Sequence, residues 1–324
     1  MRYTLPYIAD GKTWEAGRMK VMALKGRDFI SIHDWNRDEL AEALDLAQWL
    51  KERQKLGLRE EPLKGKTLGM YFAKPSTRTR LSFEVGIQQL GGYGLFLSAA
   101  DMQLRRGETI ADTARVMSRY LDGIMIRTFA HQDVVELAQW ADIPVINGLT
   151  DEEHPCQVMA DLLTIRERFG PLGRLKMAYV GDGNNMAHSL MDGGAKFGMH
   201  VVIGCPEGYT PDPDRVARAR EVAARYGGLI EVVQDPAAAV AGANVVYTDV
   251  WTSMGQEEES ARRLVAFEGY QVDTRLMSLT APDAIFLHYL PAHRGEEVAA
   301  EVIDGPQSVV FDQAENRLHA QKAV

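Results

Sequence analysis

The stretch FAKPSTRTRLSFEVG crowds three hydroxyls and two guanidiniums, those of Ser76, Thr77, Arg78, Thr79 and Arg80, between an apolar run and a helical pattern. The apolar run ends at Ala73, Pro75 breaks the backbone, and Ser76 is a good helix N-cap. Free N–H groups at a helix start, joined by hydroxyls and guanidiniums, make a strong cradle for a phosphate. The same residues could also form a capped surface helix with solvated arginines. Their crowding into one turn after a strand favours the anion.

Four further residues, in three segments, are the natural partners of such an anion. Arg127 follows the apolar run GIMI, His154 and Gln157 open a long helix pattern in EEHPCQ, and Arg317 lies in AENRLH near the C-terminus. Taken singly, an arginine of this kind is a surface ion pair and a histidine at a helix start is a structural group. Only convergence in space makes them a site.

The second half offers different chemistry. AYVGDGNNMAHSL has the strand, glycine turn and helix of a dinucleotide loop, but Met186 stands where the third glycine belongs. Its adjacent amides, Asn184 and Asn185, suit a zwitterionic small molecule instead. In YTDVWTSMGQEEE, Asp249 closes an apolar run and Ser253, Met254 and Gly255 form a turn before an acidic helix start. A carboxylate at a strand's carboxyl end suits an ammonium group, and a structural cap is the equal alternative for Asp249 taken alone. Finally, AIFLHYLPAHRGEEV leaves an apolar run and packs His288, Tyr289, Pro291, His293 and two glutamates into ten positions.

These residues need elements that bring them together. From Lys66 onward apolar runs alternate with helical patterns: TLGMYFA, YGLFLS, DGIMIRTF and IPVING in the first half. After the helix HPCQVMADLLTIRERFG the grammar restarts near Leu175 with LKMAYVG, HVVIGC, IEVVQD, NVVYTDV and AIFLHYL. Strict alternation predicts two doubly wound α/β domains with parallel sheets, facing a central cleft and joined by long helices. AENRLHAQKAV reads as a short amphipathic helix packing back on the first domain.

Composition bounds the partners. At 324 residues two domains are expected, and 46% apolar with 25% charged residues is ordinary for a globular protein. A net charge of −9 argues against a nucleic-acid binder. Cys156 and Cys205 show no disulfide or zinc spacing, no run is long enough to span a membrane, and the N-terminus lacks an export signal, so a cytoplasmic protein is expected.

Read together, STRTR at 76–80, HPCQ at 154–157, GDGNN at 181–185, DVWTSMG at 249–255, LPAHRGEE at 290–297 and ENR at 315–317 resemble the ornithine carbamoyltransferase family, in its order, from about Leu24 onward. The resemblance implies transfer of a carbamoyl group from carbamoyl phosphate to the δ-amine of L-ornithine, giving L-citrulline and phosphate in arginine biosynthesis. It implies a carbamoyl phosphate domain over 1–153, an ornithine domain over 154–307 and a C-terminal segment over 308–324. Carbamoyl phosphate would be held by Ser76, Thr77, Arg78, Thr79, Arg127, His154, Gln157, Tyr289, Leu290 and Arg317. Ornithine would be held by Asn185, Asp249, Ser253 and Met254. The family's units are trimers, so Gln103 is expected to reach into a neighbour's pocket, with Arg106 adding charge nearby. No metal and no cofactor is implied.

At position 289 the chain departs from the family, which carries a Cys in the H-x-L-P loop where this sequence has Tyr289. A phenol is larger than a thiol and, with an ordinary pKa of about 10, holds its proton more tightly. Arg127, His154 and Tyr289 remain the catalytic candidates, the first two stabilising the carbonyl oxygen. The alternatives are a carbamoyltransferase for putrescine or an N-acylornithine, and a non-catalytic paralogue that still binds carbamoyl phosphate.

Overall fold

The computed structural model describes residues 24–105, 107–252 and 257–324. Helix α1 (Arg37–Lys55) begins at a capping box, with Asn36 accepting from the Glu39 N–H and Glu39 accepting from the Asn36 N–H. The first half then runs β1 (Thr67–Phe72), α2 (Thr77–Gln89), β2 (Tyr93–Ser98), α3 (Ile110–Tyr120), β3 (Gly123–Arg127), α4 (His131–Trp140) and β4 (Val145–Leu149). Its strands form a parallel sheet of order β2-β1-β3-β4.

Helix α5 (Pro155–Phe169) crosses to the second half, which runs β5 (Lys176–Val180), α6 (Asn185–Lys196), β6 (His200–Gly204), α7 (Pro213–Tyr226), β7 (Leu229–Val233), α8 (Pro236–Val240), β8 (Val245–Thr248), α9 (Ser260–Ala266), α10 (Thr274–Met277), β9 (Ile285–Leu287) and α11 (Ala300–Ile303). This second sheet is also parallel, in the order β7-β6-β5-β8-β9. The chain closes with α12 (Val310–Ala323). The expected pair of parallel sheets is therefore present.

Strand register decides which turns meet. Phe72 lies opposite both Ser98 and Arg127, so the turn after β1 emerges beside the end of β3. In the second sheet Val180 pairs with Thr248 and Tyr247 with Leu287, which brings the Gly181–Asn184 turn, Asp249 and His288 out at one edge. Carboxyl ends of parallel strands are where side chains of different elements can converge, because no strand continues beyond them.

Every residue of α5 from Pro155 to Ile165 is buried. One apolar cluster runs from Met70 and Phe83 through α5 to Tyr179 and Leu287, so this helix is a spine shared by both sheets. Its polar members Gln157, Asp161 and Thr164 must therefore find partners inside the protein.

The C-terminal helix differs from the expected short amphipathic one. It starts at Val310, packs against α5, α1 and α2, and buries Gln313, Asn316, Arg317, His319, Gln321 and Lys322. That is possible because the three helices supply partners: Asn316 donates to Thr164 Oγ1 at 2.9 Å and accepts from Lys51 Nζ at 2.7 Å, and Lys322 donates to Gln54 and Gln89. No described helix is long and apolar enough to cross a membrane.

Candidate active site

The first-half cradle begins where Ser76 caps α2, its Oγ accepting from the Thr79 N–H at 3.2 Å. Thr77 is exposed at the helix start and Arg78 is half-buried, its guanidinium pKa lowered by burial. Thr79 is buried and its Oγ1 accepts from Arg317 at 3.0 Å. Arg80 leaves the cradle: exposed, it donates to Glu84 at 3.2 Å and lies over the Phe96 ring. Each step along the helix turns the side chain by about 100°, which carries residue 80 away from residues 78 and 79, so a single guanidinium of the motif is left for the site.

The separate partners do converge. Arg127, buried at the end of β3, has no hydrogen-bond partner for its Nε among the described residues. Its pKa is pushed down to about 10, first by burial and then by the neighbouring charges of Arg317 and Arg78, while Tyr289 acts in the opposite sense. His154 sits at the start of α5, fully buried, with its N–H donating to Ser189 Oγ at 2.9 Å. Both its ring nitrogens are without partners among the described residues. Burial, then Arg317 and Arg127, hold this imidazole well below the usual histidine range, so it is neutral and can donate one N–H. Arg317 donates to Gln157 Oε1 at 2.5 Å from α12. Three guanidiniums and a neutral imidazole thus lie close enough to feel one another's charge, a concentration of donors that favours a phosphate and a polarised carbonyl.

In the second half, Gly183 is required by a close approach, since a Cβ there would stand 2.2 Å from Pro211 N. The glycine turn thus packs against the chain itself, and Met186, where a dinucleotide site would have its third glycine, is fully buried. Asn184 caps α6, accepting from the Met186 N–H at 2.9 Å and donating to Asp249 at 3.4 Å. Asn185 donates to the Thr150 carbonyl at 2.8 Å, tying the second half to the first. Asp249 is 1% exposed. Burial pushes its carboxyl up to about 6, against the opposing pull of His288, the Val250 N–H and Asn184.

Tyr289 lies between the halves. Its ring is edge-on to His154 with centroids 5.7 Å apart, and its hydroxyl is near enough to Asp249 to feel that carboxylate. Burial first, then the Asp249 charge, raises the phenol well above its ordinary pKa, while Arg127 and Arg317 pull the other way. The group is therefore a protonated donor at neutral pH. His288, fully buried, accepts from the Leu290 N–H at 2.9 Å on Nδ1 and pairs with Glu297 at 3.0 Å through Nε2. Leu290 takes φ 60° before a cis Pro291, a left-handed conformation unusual for leucine, found here in a loop pinned from both sides. The distal HRGEE residues anchor that loop: Glu297 also accepts from the His293 N–H at 2.7 Å, and Arg294 pairs with Asp304. Among the described residues, His293, Glu296 and Glu297 alone bring ligand atoms close enough for a metal ion. His293 Nδ1 lies 3.6 Å from Glu296 and 4.0 Å from Glu297.

Gln103 opens a surface 3-10 turn and is exposed. Ser253, Met254 and Arg106 lie outside the described residues. Two buried polar residues that connect the site, Asp161 and Gln313, were not picked out from the sequence. Their signal was the spacing of four that pairs Gln157 with Asp161 and Gln313 with Arg317.

The sequence of the first half, residues 27–167, matches the family model described as aspartate/ornithine carbamoyltransferase, carbamoyl-P binding domain. Residues 174–324 match its companion, the Asp/Orn binding domain. The chain belongs to the aspartate/ornithine carbamoyltransferase family. Among relatives in that family, the ornithine carbamoyltransferase of Symbiobacterium thermophilum is 77% identical over 301 residues, covering 93% of this chain and 97% of the relative. A relative from Pyrococcus furiosus, named as an anabolic ornithine carbamoyltransferase, is 55% identical over 304 residues, covering 94% and 96%. The solved ornithine carbamoyltransferase of Pyrococcus furiosus superposes with a TM-score of 0.90 at 55% identity, covering 93% of this chain and 96% of that one. The family member from Campylobacter jejuni, solved as an anabolic ornithine carbamoyltransferase, gives 0.87 at 39% identity, covering 92% and 97%.

Proposed function

We propose that this chain is an ornithine carbamoyltransferase, transferring the carbamoyl group of carbamoyl phosphate to the δ-amine of L-ornithine to give L-citrulline and phosphate, in the direction of arginine biosynthesis. The observation that carries this reading is the meeting of a cationic cradle and a buried carboxylate at the ends of two parallel sheets. A phosphate complements the first and an ammonium the second.

We assign residues 1–153 to carbamoyl phosphate, 154–307 to ornithine and 308–324 to the closing helix. Ser76, Thr77, Arg78, Thr79, Gln157 and Arg317 hold the phosphate end. Arg127 and the neutral His154 stabilise charge developing on the carbonyl oxygen as the amine adds. Asn185, Asp249, Ser253 and Met254 hold the amino acid, and Leu290 lends backbone contacts. The neutral amine forms the C–N bond, the C–O bond to phosphate breaks, and the leaving phosphate takes the proton that the amine gives up. Tyr289 cannot be the proton acceptor because burial and Asp249 keep its hydroxyl protonated. Its role is to hydrogen-bond and orient.

A homotrimer in the cytoplasm is part of the same reading. The edge strand β2 exposes Tyr93, Leu95 and Phe96, an apolar surface for a neighbouring copy, and Gln103 follows it on the surface. Putrescine lacks the α-amino and α-carboxylate groups that Asp249 and Asn185 suit, and the relatives' names favour ornithine over an acylated amine or a silent paralogue.

Citrulline formation by the purified protein, with ornithine, putrescine and acetylornithine compared by kcat/KM, tests the proposal. Ornithine is expected to lead, and a higher kcat/KM for another amine or binding of carbamoyl phosphate without turnover overturns it. Tyr289→Cys is expected to retain or raise ornithine activity. A loss beyond about a thousandfold, ~4 kcal/mol, assigns the phenol a chemical role of its own.

A further inference from the structure

Between the cradle and the 288–291 loop lie two buried side chains outside the contact sets above, Asp161 and Gln313. Gln157 and Asp161 are one turn apart on α5, Gln313 and Arg317 one turn apart on α12, and the two pairs face each other. Asp161 Oδ1 accepts from Gln157 Nε2 at 2.8 Å and from Gln313 Nε2 at 2.7 Å, and Gln313 Nε2 also donates to the Tyr247 hydroxyl at 3.0 Å. An amide has one donating and one accepting end, so one acceptor that takes both Nε2 atoms turns both Oε1 atoms outward. Gln157 Oε1 then accepts from Arg317, which reaches Thr79 in the cradle. Gln313 Oε1 accepts from the His288 N–H at 3.0 Å, at the root of the loop that carries Tyr289. Turning either amide over would set its N–H groups against a guanidinium or a backbone N–H.

We propose that Asp161 is a positioning residue which, by fixing the amide orientation of Gln157 and Gln313, aligns the carbamoyl phosphate cradle with the loop facing the amino acid. The inference rests on the ornithine carbamoyltransferase reading. Its requirement is an acceptor at Oδ1. Burial pushes this carboxyl up to about 7, and Oδ1 accepts whether or not Oδ2 carries a proton. An asparagine with its oxygen at the same place should therefore do the same work.

Kinetics with both substrates on folded variants test this. Asp161→Leu is expected to raise the KM of carbamoyl phosphate and of ornithine by about tenfold each, and Asp161→Asn to restore both to within about threefold of wild type. Gln313→Met frees the His288 side and removes one donor from Asp161 while leaving the Gln157 and Arg317 bonds in place, so the ornithine KM is expected to rise about tenfold with that of carbamoyl phosphate within about threefold. Equal losses in the Leu and Asn variants, unchanged constants in folded Asp161→Leu, or equal shifts of both constants in Gln313→Met overturn the proposal. If Asp161→Leu does not fold, the other two variants decide by the same criteria. Wild-type citrulline formation is the control: its absence overturns both readings, whereas its presence with unresponsive variants overturns only the role of Asp161.

Discussion

At the edge of the first sheet three guanidiniums, Arg78, Arg127 and Arg317, have their pKa values lowered, first by burial, and among the described residues no carboxylate accepts directly from Arg127 or Arg317. At the edge of the second sheet the Asp249 carboxylate is buried beside Asn184, the Val250 N–H and His288, and burial pushes it up to about 6. The first region is cationic and interlocked through α5 and α12. The second is anionic, with its carboxylate directly after the end of β8. The contrast teaches that the two halves keep buried charges of opposite sign, which complement the phosphate and the ammonium proposed as their ligands.

The largest effect should come from breaking the interlocked half. Arg317→Met removes a buried charge and its bonds to Gln157 and Thr79, and kcat/KM for carbamoyl phosphate is expected to fall about a thousandfold, ~4 kcal/mol. An unchanged value in a folded variant would remove Arg317 from the cradle. Asp249→Asn probes the other half: kcat/KM for ornithine is expected to fall about a hundredfold, ~2.7 kcal/mol, with carbamoyl phosphate binding by calorimetry within about twofold. Loss of carbamoyl phosphate binding would erase the distinction between the halves.

A pH profile separates the two without mutation. Asp249 has its pKa raised to about 6, so it becomes neutral as pH falls through that value, and the KM of ornithine is expected to climb about tenfold per unit below it. Arg127, pushed down to about 10, stays charged over the same range, so the carbamoyl phosphate KM should not follow. Parallel rises in both constants would contradict the assignment. The smallest effect is expected from thiol reagents. Burial pushes both Cys156 and Cys205 up to about 12, and Tyr289 occupies the loop position, so treatment with a maleimide near pH 7 should leave activity within about twofold. Marked inactivation would mean that one of these thiols becomes accessible.

Much of this arrangement is legible in the chain because its signals are local. Pro75 and Ser76 mark a helix start whatever lies around them, and alternating apolar runs specify parallel strands through a short-range pattern. Arg80 shows the limit, since it reads like Arg78 and differs only in the direction the helix turns it. The C-terminal helix shows it again. Its pattern suggests a short amphipathic helix packing back on the first half, as it does, yet its polar residues Asn316 and Lys322 are buried as well, against α1, α2 and α5.

Residue types and order by themselves determined the two α/β halves, the anion-binding turn, the carboxylate at the end of β8 and the substitution at position 289. Only the tertiary structure decided that Arg127, His154, Gln157 and Arg317 meet, that Tyr289 remains protonated against Asp249, and that one oxygen of Asp161 orients two amides. The physical reason is that pKa values and amide orientations depend on burial and on neighbours far away in sequence. Asp161 and Gln313 are 152 residues apart and share a hydrogen bond of 2.7 Å.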